Sequence, residues 1–168
     1  AASAPAWSQP SQTALAEPHH RAFVRRTNAL LSAGMLRRFM RGWYVAREFD
    51  LGTLSQRLTP SATISFDRVL ADALLIGPRP SRGLVCTRGG TNRNYSALGV
   101  RIEHVRIADH LDFGVVVRDG VRWADPEKAM LDCLYFHLRG RQYPFDLFSD
   151  VAIDRLDRGR IGSYLDRY

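Results

Sequence analysis

The stretch PHHRAFVRRTNALLSAGMLRRFMRGWYVAR, residues 18–47, decides the fold of the N-terminal part of this chain. Its first half predicts a helix, because Pro18 suits the first helical turn and Gly34 suits the position just past a helix end. Between these two residues, helical spacing places one mainly apolar set on a single face: Phe23, Thr27, Leu30 and Leu31.

The second half of the stretch predicts a hairpin of two short strands, Leu36–Phe39 and Trp43–Val45, with a turn at Arg41-Gly42. A basic helix followed directly by a basic hairpin is the second half of a winged helix. In that fold the helix enters the major groove of DNA and the wing lies along the backbone. Upstream, residues 11–17 have room only for a short helix, so the predicted winged helix is partial.

The positive charge of the chain is concentrated in the same stretch. The chain has 24 Lys and Arg against 17 Asp and Glu, a formal net charge of +7. Residues 18–47 contain seven Arg and no Asp or Glu, which leaves the rest of the chain balanced at 17 residues of each sign. Because concentrated charge of one sign indicates nucleic-acid binding, we expect double-stranded DNA as the partner.

Two groups of side chains are the candidate DNA contacts. On the helix, Arg21, Arg25, Asn28 and Ser32 recur at helical spacing, so one face can reach base edges and phosphates from the major groove. A solvated polar face has the same pattern, but the adjoining basic hairpin favours DNA contact. The predicted DNA-binding residues are Arg21, Arg25, Arg26, Asn28, Arg37, Arg38 and Arg41.

The predicted fold class is α+β, with a partial N-terminal winged helix-turn-helix followed by a larger mixed α/β domain. We expect a disordered lead-in over residues 1–10 and a winged-helix DNA-binding domain over 11–47. Residues 48–60 lose the periodicity and are predicted as a linker. The α/β domain is predicted to cover residues 61–168.

Local signals predict the elements of this larger domain. A helix is expected after Ser65, ending at Gly77-Pro78. Strands are expected at 84–87 and 100–107, separated by a polar loop over 88–95. Asp119-Gly120 between apolar runs is a strong hairpin signal. Asp125 caps and Pro126 opens a buried helix, and a final helix has the predicted apolar face Ile161, Tyr164, Leu165 and Tyr168.

The sequence predicts no cofactor, no metal ion and no catalytic residue. Cys86 and Cys133 fit core positions, since no pattern places a His and an Asp around them. His104 and His110 lack Cys or carboxylate neighbours at ligand spacing. The Gly-Gly pair at 89–90 lacks the P-loop spacing and predicts a plain turn.

One acidic segment keeps an enzyme alternative open. Restriction-type nucleases place an acidic residue before Glu-x-Lys on a strand, whereas Glu127 and Lys128 are adjacent at a helix start. A helix-start role is therefore favoured over catalysis. In the alternative, Asp125, Glu127 and Asp132 are metal ligands of an enzyme acting on nucleic acid.

No apolar run approaches the roughly 20 residues that a membrane-spanning helix needs. No charged segment followed by an apolar segment indicates a secretion signal. We therefore expect a cytoplasmic protein without a membrane partner.

Four blocks, in this order, resemble the AbiEi-type antitoxins of type IV (AbiE) toxin–antitoxin systems. They are LLSAGMLRRFMRGWYV, ISFDRVLADALLIG, LVCTRGGTNRNYSALGVRIEHVRI and WADPEKAMLDCLYF. The last block is the most specific, since it is similar to the family's A-x-P-E-K-A-L-L-D signature. The resemblance covers about residues 20–168.

The resemblance implies a winged-helix transcriptional regulator that binds inverted repeats upstream of its own operon and represses it. It also implies a C-terminal α/β domain that counteracts a cognate nucleotidyltransferase toxin, directly or indirectly. Two other functions stay open beside this one. The first is the metal-dependent enzyme, and the second is a stand-alone regulator whose second domain senses a ligand or dimerises.

Overall fold

A computed structural model describes residues 17–78 and 82–168 of the chain. The predicted lead-in over 1–10 and residues 11–16 of the short helix predicted over 11–17 lie outside the described residues. The chain divides into two compact units, which we call unit one (up to Glu48) and unit two (Phe49–Tyr168). The fold is α+β, with helices and strands in both units.

Unit one is a helix followed by a hairpin: α1 (Glu17–Ser32), β1 (Leu36–Met40) and β2 (Trp43–Ala46). α1 ends in a Schellman motif, in which the Gly34 N–H donates to Leu31 O and the Met35 N–H donates to Leu30 O, both at 3.0 Å. Gly34 has φ +68°, a conformation that glycine adopts without strain. The predicted helix and its stop are therefore present.

β1 and β2 pair antiparallel, with a register shift between Arg38 and Met40 and a turn at which Gly42 has φ +77°. Phe39 and Val45 are buried in the hairpin, and Thr27 is buried on α1. The predicted apolar face of α1 is wrong at one position, because Phe23 is 63% exposed. Helical spacing places Phe23 on the same face as Thr27, Leu30 and Leu31, so it was predicted to be buried. The two-stranded hairpin is too small to cover four helical turns.

The segment predicted as a linker, residues 48–60, differs in the structure. It contains α2 (Leu51–Leu58), which Asp50 caps by accepting from the Thr53 N–H at 2.7 Å. Leu51, Leu54 and Ser55 are buried in unit two. Leu51, Leu54 and Leu58 recur at helical spacing after the capping residue Asp50, so the sequence contained a helix signal that the prediction missed.

Unit two is built on a mixed sheet with the strand order β5-β6-β4-β3-β8-β7 among the described residues. Its strands are β3 (Thr63–Ile64), β4 (Gly83–Arg88), β5 (Arg93–Ala97), β6 (Val100–Arg106), β7 (Val115–Arg118) and β8 (Val121–Ala124). β4 pairs parallel with β6 and β3 pairs parallel with β8, while the other neighbours are antiparallel. The predicted 88–95 loop is shorter than expected, because β5 already begins at Arg93.

The predicted Asp119-Gly120 hairpin joins β7 and β8, and the two turn residues have φ of 51° and 76°. Positive φ at both positions is the condition for a type I′ turn. Asp-Gly satisfies this condition with little strain, which is why the local sequence predicted the turn.

The helices of unit two are α3 (Phe66–Asp72), α4 (Pro126–His137) and α5 (Arg158–Leu165). α3 ends earlier than the predicted Gly77-Pro78 stop, since Leu74 has φ 56° and is 71% exposed. α4 begins as predicted: the Asp125 side chain accepts from the Lys128 N–H at 2.8 Å, and Pro126 is in the first turn. On α5 the predicted face is wrong at Leu165, which is 54% exposed.

Candidate nucleic-acid interface

Seven arginines of unit one have no acidic ion-pair partner among the side chains that the structure describes. All seven are exposed: Arg21, Arg25, Arg26, Arg37, Arg38, Arg41 and Arg47. None of them forms an ion pair with a side chain of residues 20–78 or 82–168. Clustered like charges repel one another, and a polyanion binding to them removes that repulsion.

Arginines of unit two give a contrast. Arg122 contacts Asp112 at 2.9 Å, Arg141 contacts Glu103 at 2.9 Å and Arg160 contacts Glu127 at 3.4 Å. Unit two therefore contains both paired and unpaired arginines, since Arg106 and Arg139 form no ion pair among its described residues, whereas none of the seven arginines of unit one is paired there.

The structure brings three of the predicted helix residues together. Arg21, Arg25 and Asn28 line one shallow groove along α1. Arg26 is exposed but does not line the groove, because one residue along a helix turns the side chain by about 100°. The predicted set on α1 therefore divides into one stripe and one separate arginine.

Sequence reasoning missed two residues of this groove, His20 and Val24. They occupy the positions i−1 and i+3 relative to Arg21, so helical spacing contained the signal. Arg47 was counted in the charge of the stretch but not in the predicted contact set. Like the other six arginines of unit one, Arg47 is exposed and forms no ion pair with a described side chain.

The hairpin carries the remaining predicted residues. Arg37 and Arg38 are consecutive on β1, and their Cα partners across the hairpin are Val45 and Tyr44. Because successive side chains of a strand point to opposite faces, these two arginines cannot both lie on one surface. Arg41 is in the turn, next to Gly42. The structure thus spreads the three guanidinium groups around the hairpin.

The acidic segment considered for metal binding has a different environment. All six carboxylate oxygens of Asp125, Glu127 and Asp132 accept hydrogen bonds from other groups of the protein. The donors are Lys128 N and Tyr164 OH to Asp125, Asp157 N and Arg160 to Glu127, and Ser65, Lys128 and Tyr168 to Asp132. In the described part of the chain, His, Cys, Asp and Glu side chains form no group of three or more suited to hold a metal ion.

These contacts join three elements of unit two. Ser65 precedes α3 and donates to Asp132 on α4 at 2.6 Å, and Tyr164 on α5 donates to Asp125 at 2.7 Å. Burial raises the pKa of the Asp132 carboxyl group and lowers the pKa of the Lys128 ammonium group that contacts it. The arrangement stabilises the packing of α4 and leaves no carboxylate oxygen open.

A second buried polar group was not predicted. The Ser55 hydroxyl lies 2.8 Å from His104 Nε2 and 3.2 Å from Cys86 Sγ, and all three residues are buried. Burial lowers the pKa of His104 to about 4 and raises the pKa of Cys86 to about 12. A thiol with so high a pKa is a poor nucleophile, so this group belongs to the core. Its Ser55 comes from the segment predicted as a linker.

No protein-family model matches the chain, and no curated protein matches it. Among the described helices, none has both the length and the apolar character that spanning a bilayer requires.

Proposed function

We propose that this chain is a DNA-binding transcriptional repressor that binds duplex DNA through unit one. The observation that carries the proposal is the set of seven exposed arginines, which have no acidic partner among the described side chains and lie in a stretch that contains no Asp or Glu. Phosphate groups supply the missing negative charge, and their counterions are released on binding.

The geometry of unit one supports a division of work between helix and hairpin. α1 is the element that enters the major groove, as in a winged helix, and presents Arg21, Arg25 and Asn28 along one stripe. Arg37, Arg38 and Arg41 project from the hairpin in several directions and contact phosphates on either side. Arg26, which lies off the stripe, is a phosphate contact in this arrangement.

Unit two is the antitoxin part in this proposal, and it acts against a cognate nucleotidyltransferase toxin. Support comes from the three sequence blocks of unit two that follow in AbiEi order, above all WADPEKAMLDCLYF. The charged residues of this block face inward to Ser65, Tyr164 and Tyr168 and not outward to a partner. The toxin-facing surface is therefore formed by other residues of unit two. The protein does not act as an enzyme in this account.

Equilibrium binding to duplex DNA tests the first part of the proposal. The double variant Arg25→Gln/Arg41→Gln should bind roughly tenfold or more weakly. It makes fewer phosphate contacts than the wild type, so fewer counterions are released when it binds. The matched control is Arg118→Gln/Arg158→Gln, which removes the same charge from exposed positions in unit two. Equal losses in both double variants would show that net charge alone, and not unit one, determines binding.

The antitoxin part needs a cellular test. The neighbouring gene is expressed with and without this chain, and growth is measured. Rescue of growth supports the antitoxin role. A neighbouring gene without toxicity, or toxicity that this chain does not relieve, contradicts it.

A further inference from the structure

An open cleft on unit two lies between the carboxyl end of β6 and the end of α4, with a volume of about 660 Å³. One wall contains Thr91 and Asn92, from the loop between β4 and β5. The opposite wall contains Arg139 and Arg141, which follow α4. The volume lies in the range typical of small-molecule sites.

Two arginines lie side by side at the carboxyl ends of two parallel strands. Arg88 on β4 and Arg106 on β6 are Cα partners, and Arg106 lines the cleft. Neither forms an ion pair within the described residues, although the Asp109 carboxylate lies near Gly89. Arg88 is not among the residues lining the cleft, so Arg106 is the member of this pair that can contact an anion bound there. Ligands of sheets with parallel strands commonly bind outside the carboxyl ends of those strands.

Contacts within the protein hold the opposite wall in place. The Arg139 guanidinium carbon lies 3.5 Å from the centre of the Tyr135 ring, and Arg139 donates to Tyr135 O at 3.1 Å. Arg141 donates two hydrogen bonds to Glu103, at 2.9 and 3.2 Å. The hydrogen bond from Arg141 lowers the pKa of Glu103, so this carboxylate stays ionised and is neutralised by Arg141. Arg106 and Arg139 remain as positive charge without a carboxylate partner in the part of the chain that the structure describes.

Neutral hydrogen-bond donors complete the cleft. Asn92 Oδ1 accepts from the Arg106 N–H at 2.6 Å, which leaves the Asn92 amide N–H groups without a partner among the described residues. The Thr91 hydroxyl is exposed in the same wall. Guanidinium groups together with neutral donors match the several acceptor oxygens of a phosphate group.

We infer that this cleft binds a phosphate group, carried either by a free nucleotide or by a nucleic-acid strand. Arg106 and Arg139 supply the charge, and Thr91 and Asn92 supply neutral hydrogen bonds. All of these residues belong to unit two, so the site does not depend on DNA binding by unit one.

The test is an NMR titration of the ¹⁵N-labelled full chain with two probes, ATP and a single-stranded tetranucleotide. Both probes should shift the backbone amide signals of Asn92 and Gly140, which line the cleft. The variant Arg106→Gln/Arg139→Gln should weaken binding at these signals by roughly tenfold or more, since each charged hydrogen bond contributes on that scale. The control Arg118→Gln/Arg158→Gln should keep the wild-type affinity.

The two probes distinguish the source of the phosphate. Tighter binding of ATP supports a free nucleotide, and tighter binding of the tetranucleotide supports a strand. Absence of shifts at Asn92 and Gly140 with both probes overturns the inference, as does equal affinity in the cleft variant. Shifts confined to residues 20–32 also overturn it, because they place the phosphate contact in unit one. Duplex binding by the Arg25 and Arg41 variants is measured separately, so each proposal can fail without the other.

Discussion

Lys128 and Asp132 lie one turn apart on α4 and form an ion pair whose side chains are only 3% and 0% exposed. Tyr168 OH accepts from Lys128 at 2.7 Å and donates to Asp132 at 2.8 Å, so the pair belongs to a closed hydrogen-bonded group. Arg68 and Asp72 on α3 have the same i, i+4 spacing but are 35% and 47% exposed. The chain thus contains a buried pair and an exposed pair of the same local geometry.

Removing one partner of the buried pair should be costly. Lys128→Met leaves the Asp132 carboxylate buried without its cation, and a loss of about 3–5 kcal/mol in the free energy of unfolding is expected. Asp132→Asn, which keeps the size of the side chain, should also destabilise the protein. Arg68→Met should cost about 1 kcal/mol or less, because exposed pairs contribute little. Urea unfolding measures all three, and equal losses for Lys128→Met and Arg68→Met would contradict the account.

The acidic segment should show no metal-dependent catalysis. Every carboxylate oxygen of Asp125, Glu127 and Asp132 accepts a hydrogen bond from the protein, so binding Mg²⁺ or Mn²⁺ would break several contacts. We expect no cleavage of plasmid DNA with either ion. Glu127→Gln should lower stability by about 1–3 kcal/mol, more than a helix-end charge effect, because Glu127 is only 7% exposed. Robust cleavage that Glu127→Gln abolishes would restore the enzyme alternative.

The boundary between the two units predicts how fragments behave. A fragment of residues 49–168 contains α2 and should fold. Because it lacks the seven arginines of unit one, it should bind duplex DNA much more weakly than the full chain does. A fragment of residues 60–168 lacks the buried side chains of Leu51 and Leu54 and should be less stable by roughly 3–6 kcal/mol. Circular dichroism, urea unfolding and DNA titration check the three statements. If fragment 49–168 binds duplex DNA as tightly as the full chain does, the arginines of unit one are not the DNA-binding residues.

Stability should depend on pH through His104. Burial, together with the positive charges of Arg88 and Arg93, lowers its folded pKa to about 4, below the ordinary value of 6.5. The unfolded chain therefore binds this proton more tightly, so the stabilisation is complete above about pH 6.5 and is lost as the pH falls towards 4. We expect a loss of roughly 2–3 kcal/mol across this window, measured by urea unfolding.

A matched control for this pH effect is the exposed His110. His110→Gln should keep the pH dependence of the wild type, whereas His104→Gln should flatten it between pH 6.5 and 4. A His104→Gln profile that follows the wild type over the whole window would contradict the assignment.

Elements with local signals were predictable from the sequence. The Gly34 helix stop, the Asp119-Gly120 turn and the Asp125-Pro126 helix start each depend on a few adjacent residues. The exposed arginines of unit one followed from charge alone. The exposure of Phe23 was not predictable from the sequence, because it depends on how much of the α1 surface the hairpin covers.

Features formed by distant residues were not predictable in the same way. The burial of the polar residue Ser55 on α2 is explained by its contacts with His104 and Cys86, which lie 49 and 31 residues away in the sequence. The i, i+4 spacing of Lys128 and Asp132 was visible in the sequence, but their burial depends on Ser65 and Tyr168. The cleft lined by Arg106 and Arg139 needs the parallel register of β4 and β6, which a single sequence does not reveal.

The central claim is that unit one reads DNA through α1 and holds it through the hairpin. Its most direct test is an equilibrium titration of the wild type, Asn28→Ala and Arg41→Ala against an inverted-repeat operator and a random duplex, at several salt concentrations. Arg41→Ala should weaken binding to both duplexes equally and flatten the log–log salt dependence by about one phosphate contact. Asn28→Ala should cost roughly 1–3 kcal/mol on the operator and almost nothing on the random duplex. If both variants lose affinity in the same proportion on both duplexes, α1 is not the reading element and the claim is contradicted.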